Sequence, residues 1–305
     1  MTPADGGAEI LGRFRTVAAE QGARPCIHGE DGQTYAELDR RSDGVARALM
    51  GAGVGAGERA GLLCPNGADF VVAYLGILKS GATAVPLNLM LHPREMAFAL
   101  ADCGACALIH HQAFDTAAAE ATAGLDLRLR ARIGGAGSGE IRGFEDLIET
   151  PGERVAPALD PSESVAVTLY TSGTTGRPKG AMLTHANLAS NAASVAAALS
   201  LTRDDRVLVV LPMFHAFAAT VGVLTPLLQG GGIVPVARFE PRLVSQAIAD
   251  QGATLFLGVP SMYGLLLRLE EASIGQWRGV RLCVSGGAAL PEAVLSGFES
   301  RFAVP

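Results

Sequence analysis

Ten consecutive residues, Thr171-Ser172-Gly173-Thr174-Thr175-Gly176-Arg177-Pro178-Lys179-Gly180, gather four hydroxyls, three glycines and a lysine. Glycines let backbone N–H groups approach an anion closely and adopt positive φ. Hydroxyls add donors, and a lysine adds a compact charge suited to phosphate. The preceding run, Val165-Ala166-Val167-Thr168-Leu169-Tyr170, is apolar and β-branched, as a buried strand is. The stretch therefore sits at a strand end, where open α/β sheets bind ligands, and it reads as a polyphosphate cradle. A flexible surface turn can share the glycine and serine content, but not the order. Nine specified positions at an average usage of about 6% each arise by chance at about 10⁻¹¹ of starts. Of 24 cationic residues only Lys79 and Lys179 are lysines, so this loop departs from the chain's habitual arginine. The spacing is neither G-x-x-x-x-G-K-[ST] nor G-x-G-x-x-G.

Other residues carry weaker signals. His215, in Met213-Phe214-His215-Ala216-Phe217, follows a strand and by itself reads as a core histidine among aromatics. Gly286-Gly287-Ala288-Ala289 follows another strand and by itself reads as a tightly packed turn. Gly258-Val259-Pro260 ends a strand, and Thr220, Val221 and Leu224 recur at helical spacing after His215. Cys103-x-x-Cys106 has the form of a redox or half-zinc pair, but Cys106 lies in the apolar run Ala105–Ile109, which reads as a buried strand. Lys79 reads as structural or solvent-exposed rather than catalytic.

The elements that must position these residues alternate. Thr34-x-x-Glu37 is a capping box before a helix with Leu38, Val45 and Leu49 on one face. Residues 60–64 read as a strand, 69–78 as a buried helix, and Pro93 opens a helix expected to stop at Gly104. The glycine-rich 133–139 reads as a surface excursion between strands. After the loop, Thr184 can cap a helix carrying Leu188, Val195 and Leu199. Strands follow at 206–211, 254–259 and 280–284, with helices from Pro241 to Gly252, from about Ser261 and from Pro291. Alternation of this kind predicts mostly parallel sheets with helices on both faces.

Composition excludes several classes. The chain has 305 residues, 49% hydrophobic and 18% charged, which is globular. A net charge of −6 without a basic tract argues against nucleic acid. No apolar run reaches the length of a membrane span, and Asp5, Glu9, Arg13 and Arg15 interrupt any signal-like segment. Five scattered cysteines suit a reducing, cytoplasmic setting.

The Thr171–Gly180 loop resembles the phosphate-binding signature of the adenylate-forming enzymes: acyl-CoA synthetases, aryl-CoA ligases, luciferases and amino-acid adenylation domains. Further stretches resemble the family's motifs in the family's order: Thr34–Leu38, Lys79–Asn88, Leu211–Phe217 and Ser285–Leu290. The resemblance is nearest to the fatty-acyl-CoA synthetases. It implies an αβαβα sandwich, the large N-terminal domain of the family, with the ligand in a crevice between two sheets. It implies that Thr171, Ser172, Gly173, Thr174, Thr175, Gly176 and Lys179 hold ATP, with Thr175 and Lys179 acting in catalysis. Gly286, Gly287, Ala288 and Ala289 would line the adenine and the substrate carboxylate. His215, catalytic in this scheme, would close one side of the acyl site beside Phe217, Thr220, Val221, Gly258 and Val259. A histidine where amino-acid-activating relatives carry aspartate implies a substrate without an α-ammonium.

The implied reaction uses ATP and Mg2+ to make an acyl-adenylate from a small-molecule carboxylic acid, a medium- or long-chain fatty acid by preference. Coenzyme A then takes the acyl group. A carrier-protein thiol as acceptor, or a non-catalytic nucleotide-binding remnant, are the alternatives. The sequence shows no counterpart of the family's later Tyr-Gly-x-Thr-Glu element, whose glutamate holds magnesium, nor of its ribose-binding aspartate or its mobile C-terminal domain with a catalytic lysine. Residues 1–305 are accordingly expected to form an incomplete N-terminal AMP-binding domain, its subdomains intertwined in sequence, and to be inactive in isolation.

Overall fold

The computed structural model describes residues 10–171 and 178–305. Thirteen strands are present among them: β1 (Pro25–Ile27), β2 (Gln33–Thr34), β3 (Arg59–Leu63), β4 (Thr83–Pro86), β5 (Ala107–His111), β6 (Leu129–Ile133), β7 (Ile141–Gly143), β8 (Val165–Thr171), β9 (Lys179–Thr184), β10 (Arg206–Val209), β11 (Gly232–Pro235), β12 (Leu255–Gly258) and β13 (Leu282–Ser285). The chain divides into two compact units, the first holding residues 36–65 and 69–191 and the second residues 20–35 and 192–305, with short exchanges between them.

The first unit carries a seven-stranded sheet in the order β7-β6-β5-β3-β4-β8-β9. Its strands run parallel except for β9, which pairs antiparallel with β8. β3, β4 and β5 are apolar runs buried on both faces, as parallel strands between helices must be. Helix Pro93–Asp102 covers part of this sheet with Met96, Ala99 and Leu100, which pack on Leu63, Val85 and Leu108. His92 caps that helix, its Nδ1 accepting from the N–H of Arg94 while Glu95 accepts from the N–H of His92. Thr184 caps helix His185–Ala198 as expected: its hydroxyl accepts from Asn187 N–H, and Asn187 Oδ1 accepts from Thr184 N–H.

Lys79 is fully buried, which settles its reading as structural and removes the exposed alternative. Its ammonium lies 2.6 Å from Asp39 and 2.8 Å from Asp43, and the Arg154 guanidinium pairs with both carboxylates. Asp39 and Asp43 are four apart on helix Tyr35–Gly51, hence on one face. Burial lowers the Lys79 pKa in spite of its two acidic partners.

The second unit carries a six-stranded sheet in the order β13-β12-β10-β11-β1-β2, parallel except for β2, which pairs antiparallel with β1. Its core is aromatic. Phe256, Tyr263, Trp277, Phe298 and Phe302 pack mostly edge to face at 5.0–5.9 Å, and Trp277 Nε1 donates to Ser245 Oγ at 2.9 Å. Cys103 and Cys106 are free thiols that donate to the carbonyls of Leu100 and Arg59, and among the described residues no group of acidic, histidine and cysteine side chains could hold a metal.

Candidate functional site

The glycine- and hydroxyl-rich stretch joins β8 to β9. Residues 179–184 pair back along β8 as an antiparallel strand at the sheet edge, so Lys179 and Gly180 belong to a strand. Ser172, Gly173, Thr174, Thr175 and Gly176 lie outside the described residues. Thr171 and Lys179 pair directly across the hairpin base, and both are exposed. Side chains alternate along a strand, so Thr171 and Lys179 share one face while Tyr170 and Gly180 share the other.

That second face is clamped. A Cβ on Gly180 would lie 2.8 Å from Thr168 Cγ2 and 3.2 Å from Tyr170 Cζ, so the glycine is what lets the tyrosine ring cross the partner strand. The Tyr170 hydroxyl donates to the Asp102 carboxylate at 2.6 Å, and burial together with Asp102 raises its pKa. A cavity of about 690 Å³ opens on this face, with Arg59, Thr168, Tyr170, Gly180 and Met182 in its wall. The Lys179 face carries no comparable clamp, and among the described residues no acid pairs with Lys179. The hairpin base thus offers a lysine and a threonine hydroxyl from a fixed strand pair.

The remaining predicted residues lie in the second unit, around the C-terminal ends of β10, β12 and β13. Asn66 organises the first of these ends. Its Nδ2 donates to the carbonyls of Val209, Leu211 and Val236, and its Oδ1 accepts from Met213 N–H at 2.8 Å. One amide side chain therefore fixes the path from β10 into Pro212–His215. Sequence reasoning missed Asn66; the turn residues Pro65-Asn66-Gly67 were the available signal. His215 then opens a helical segment, its N–H bonding to Pro212 O and its carbonyl accepting from Ala219 N–H. Its ring is not a core histidine: it is exposed on one side and packs on Phe214 on the other, at 4.4 Å between centroids. Burial of that side lowers its pKa, so the ring is neutral at neutral pH.

Phe217, Gly258, Val259, Gly286 and Gly287 come together here. Gly258 pairs with Ser285 at the β12–β13 ends, and Gly286 N–H donates to Gly258 O at 3.0 Å. A Cβ on Gly286 would stand 2.9 Å from the Phe217 ring, so the ring packs directly against backbone. Gly287 adopts φ +80°, a conformation that glycine takes without strain, and lies under Val259. Gly287, Ala288 and Ala289 are exposed, leaving a flat run of backbone for a ligand to lie against. Thr220 and Val221 do not sit on an α-helix. Residues Ala218–Leu224 form a π-helix in which Thr220 is buried and Val221 is half-buried.

A family model described as AMP-binding enzyme matches residues 14–305. A feruloyl-CoA synthase of an Amycolatopsis species is 38% identical over 274 residues, covering 90% of this chain and 53% of that protein. A long-chain-fatty-acid–CoA ligase of Mycobacterium tuberculosis is 30% identical over 274 residues, covering 88% of this chain and 52% of that protein. The crystal structure of an anthranilate CoA ligase in complex with anthranoyl-AMP aligns with a TM-score of 0.92 at 27% identity, over 100% of this chain and 60% of that one. The chain spans about half the length of the relatives it matches.

Proposed function

Because the chain belongs to the AMP-binding enzyme family, we propose that this protein uses ATP to join a carboxylic acid to a thiol. In the first step a carboxylate oxygen bonds to the α-phosphorus of ATP, the bond from that phosphorus to the bridging oxygen breaks, and pyrophosphate leaves. In the second, a thiol sulfur bonds to the acyl carbon of the adenylate and AMP leaves with the bonding pair.

The observation that carries this reading is the β8–β9 pairing, in which Thr171 and Lys179, the residues that flank the hydroxyl-rich segment, stand opposite each other. Bringing an anionic acid to a polyanion is opposed by charge. A lysine with no carboxylate partner among the described residues, together with the backbone N–H groups and hydroxyls of residues 171–176, would hold the β- and γ-phosphates and spread that charge. Thr175 would add its hydroxyl there. In the second unit Gly286, Gly287, Ala288 and Ala289 would receive the adenine and the reacting carboxylate. Neutral His215 would border the acid without adding a charge. Mg2+ would arrive with the nucleotide; the described residues offer no cluster for it, and no step is assigned to it.

For the thiol we favour coenzyme A over a carrier-protein thiol, in keeping with the names of the relatives. The apolar residues that follow His215 suit a medium- or long-chain fatty acid. An aryl acid is the second reading. It is favoured by the half-buried Phe217 ring packed against Gly286, which could stack on an aryl group, and by the feruloyl relative.

The test is acid-dependent exchange of labelled pyrophosphate into ATP, run over decanoate, palmitate, ferulate and benzoate. Product analysis with coenzyme A and with a phosphopantetheinylated carrier follows. Exchange with none of a broad acid panel would sink the proposal, and the preferred acid decides between the two substrate classes.

A further inference from the structure

The segment after Phe217 changes helical type twice within a few residues. The carbonyl of His215 accepts from Ala219, four residues on, in α register. Residues 218–224 are a π-helix, and the carbonyl of Thr220 accepts from Thr225 N–H, five residues on. Helix Thr225–Leu228 then resumes α register, with Gln229 N–H donating to Thr225 O. Short π segments are uncommon, and they occur often at functional sites.

Three residues impose this register. The Thr225 side chain is fully buried, and its hydroxyl donates to the Thr220 carbonyl at 2.7 Å, so one carbonyl receives both the N–H and the O–H of the same threonine. Pro226 has no N–H to give, and its ring crowds the carbonyl four residues back, that of Gly222, which disfavours α geometry at that turn. Gly222 packs tightly on the sheet: a Cβ there would lie 3.2 Å from Val209 Cγ2 and 3.4 Å from Leu257 Cδ1. Of the seven π residues only Val221 is not buried. A shift by one residue would rotate the segment by roughly 100° and replace Val221 at that opening by a neighbour.

We propose that Thr225 is a positioning residue for acid selectivity: its hydroxyl, together with Pro226, holds residues 218–224 in π register and so makes Val221 the side chain presented beside Phe217. The proposal rests on the reading of Thr220 and Val221 as acid-lining residues. It adds a determinant that lies behind the pocket wall and touches no substrate.

The test compares Thr225→Val, which keeps the shape and removes the hydroxyl, with Thr225→Ser, which keeps the hydroxyl, in the full-length protein. Hydrogen exchange of peptides covering 216–228 reads the register directly. Thr225→Val is expected to exchange about 10-fold faster there, with Thr225→Ser close to wild type, as loss of a buried hydrogen bond predicts. In pyrophosphate exchange, Thr225→Val is expected to change the ratio of kcat/KM between an aliphatic and an aryl acid by about 5- to 10-fold, with KM for ATP within about twofold. Thr225→Ser should restore the ratio. Unchanged exchange in Thr225→Val, an unchanged acid ratio, or a Thr225→Ser variant as altered as Thr225→Val would each overturn the proposal. Should Thr225→Val not fold, Pro226→Ala carries the same two measurements with the same outcomes. A wild type that activates no acid would instead remove the function proposed above, while the hydrogen-exchange result would still decide the register.

Discussion

Gly286→Ala is the sharpest test of the site in the second unit. The added methyl would stand 2.9, 3.0 and 3.3 Å from three carbons of the Phe217 ring. Carbon pairs prefer about 3.5–4.0 Å, so the ring must move by roughly 0.5–1 Å. Overpacking of this kind costs about 1–3 kcal/mol in a closed core. Phe217 is only half-buried and can yield toward its open side, which places the stability cost at the low end. Yielding carries the ring off the Gly286 backbone and into the space assigned to the acid. A loss of about 1–2 kcal/mol in acid binding raises its KM about 5- to 30-fold. KM for the acid should rise more than KM for ATP, because the displaced ring moves into the space proposed for the acid. The assay is pyrophosphate exchange at varied acid and saturating ATP, repeated for Phe217→Ala and for the double variant. In the double variant the methyl meets no ring, so most of the Gly286→Ala penalty should vanish, a non-additivity of about 1 kcal/mol or more. Strict additivity, or a Gly286→Ala variant with unchanged acid KM, would refute the argument that this glycine exists to seat the ring.

Three further outcomes are expected. Lys179→Ala should lower acid-dependent pyrophosphate exchange by about 10- to 100-fold, mainly through KM for ATP, as loss of a charge-assisted contact predicts; an unaltered ATP dependence would remove Lys179 from the phosphate site. Lys79→Met leaves two buried carboxylates with Arg154 alone and should destabilise by about 3–5 kcal/mol, whereas adding Asp39→Asn and Asp43→Asn should recover much of the loss; equal melting temperatures of wild type and the single variant would contradict this. His185 is fully buried with neither ring nitrogen bonded among the described residues, and burial lowers its pKa. The unfolded ring takes up a proton near pH 6.5 while the folded ring resists it, so the stability it supports is whole above that pH and declines as pH falls. The drop in melting temperature between about pH 7.5 and 5.5 should therefore be smaller in His185→Gln than in wild type, and an equal drop would assign the acid sensitivity elsewhere.

Read alone, the sequence determined what is carried by neighbouring residues. Thr184 with Asn187 and Pro93 at a first turn mark helix starts through caps and a fixed φ, both of which act within four residues. The buried strands at 60–63, 107–109 and 165–168 were legible because parallel strands covered on both faces need unbroken apolar runs. The loop from Thr171 to Gly180 drew its phosphate-binding reading from residue types alone, and its residues 172–177 lie outside the described residues.

Tertiary structure alone decided the rest. β9 was missed because Lys179-Gly180-Ala181-Met182-Leu183-Thr184 has no alternation to announce a strand; it becomes one by pairing with β8, where Tyr170 covers Gly180. Lys79 is buried because Asp39 and Asp43, one turn apart on another helix, and Arg154 neutralise it there, and no local pattern reports such a meeting. Asn66 holds four backbone groups from two distant stretches, and the Phe217–Gly286 contact joins a helical segment and a loop that only strand order brings together. The π register of 218–224 arises where a buried hydroxyl, a proline and a glycine against the sheet act at once. Helical spacing in the sequence cannot distinguish 3.6 from more residues per turn over so short a span, whereas packing against β10 and β12 can.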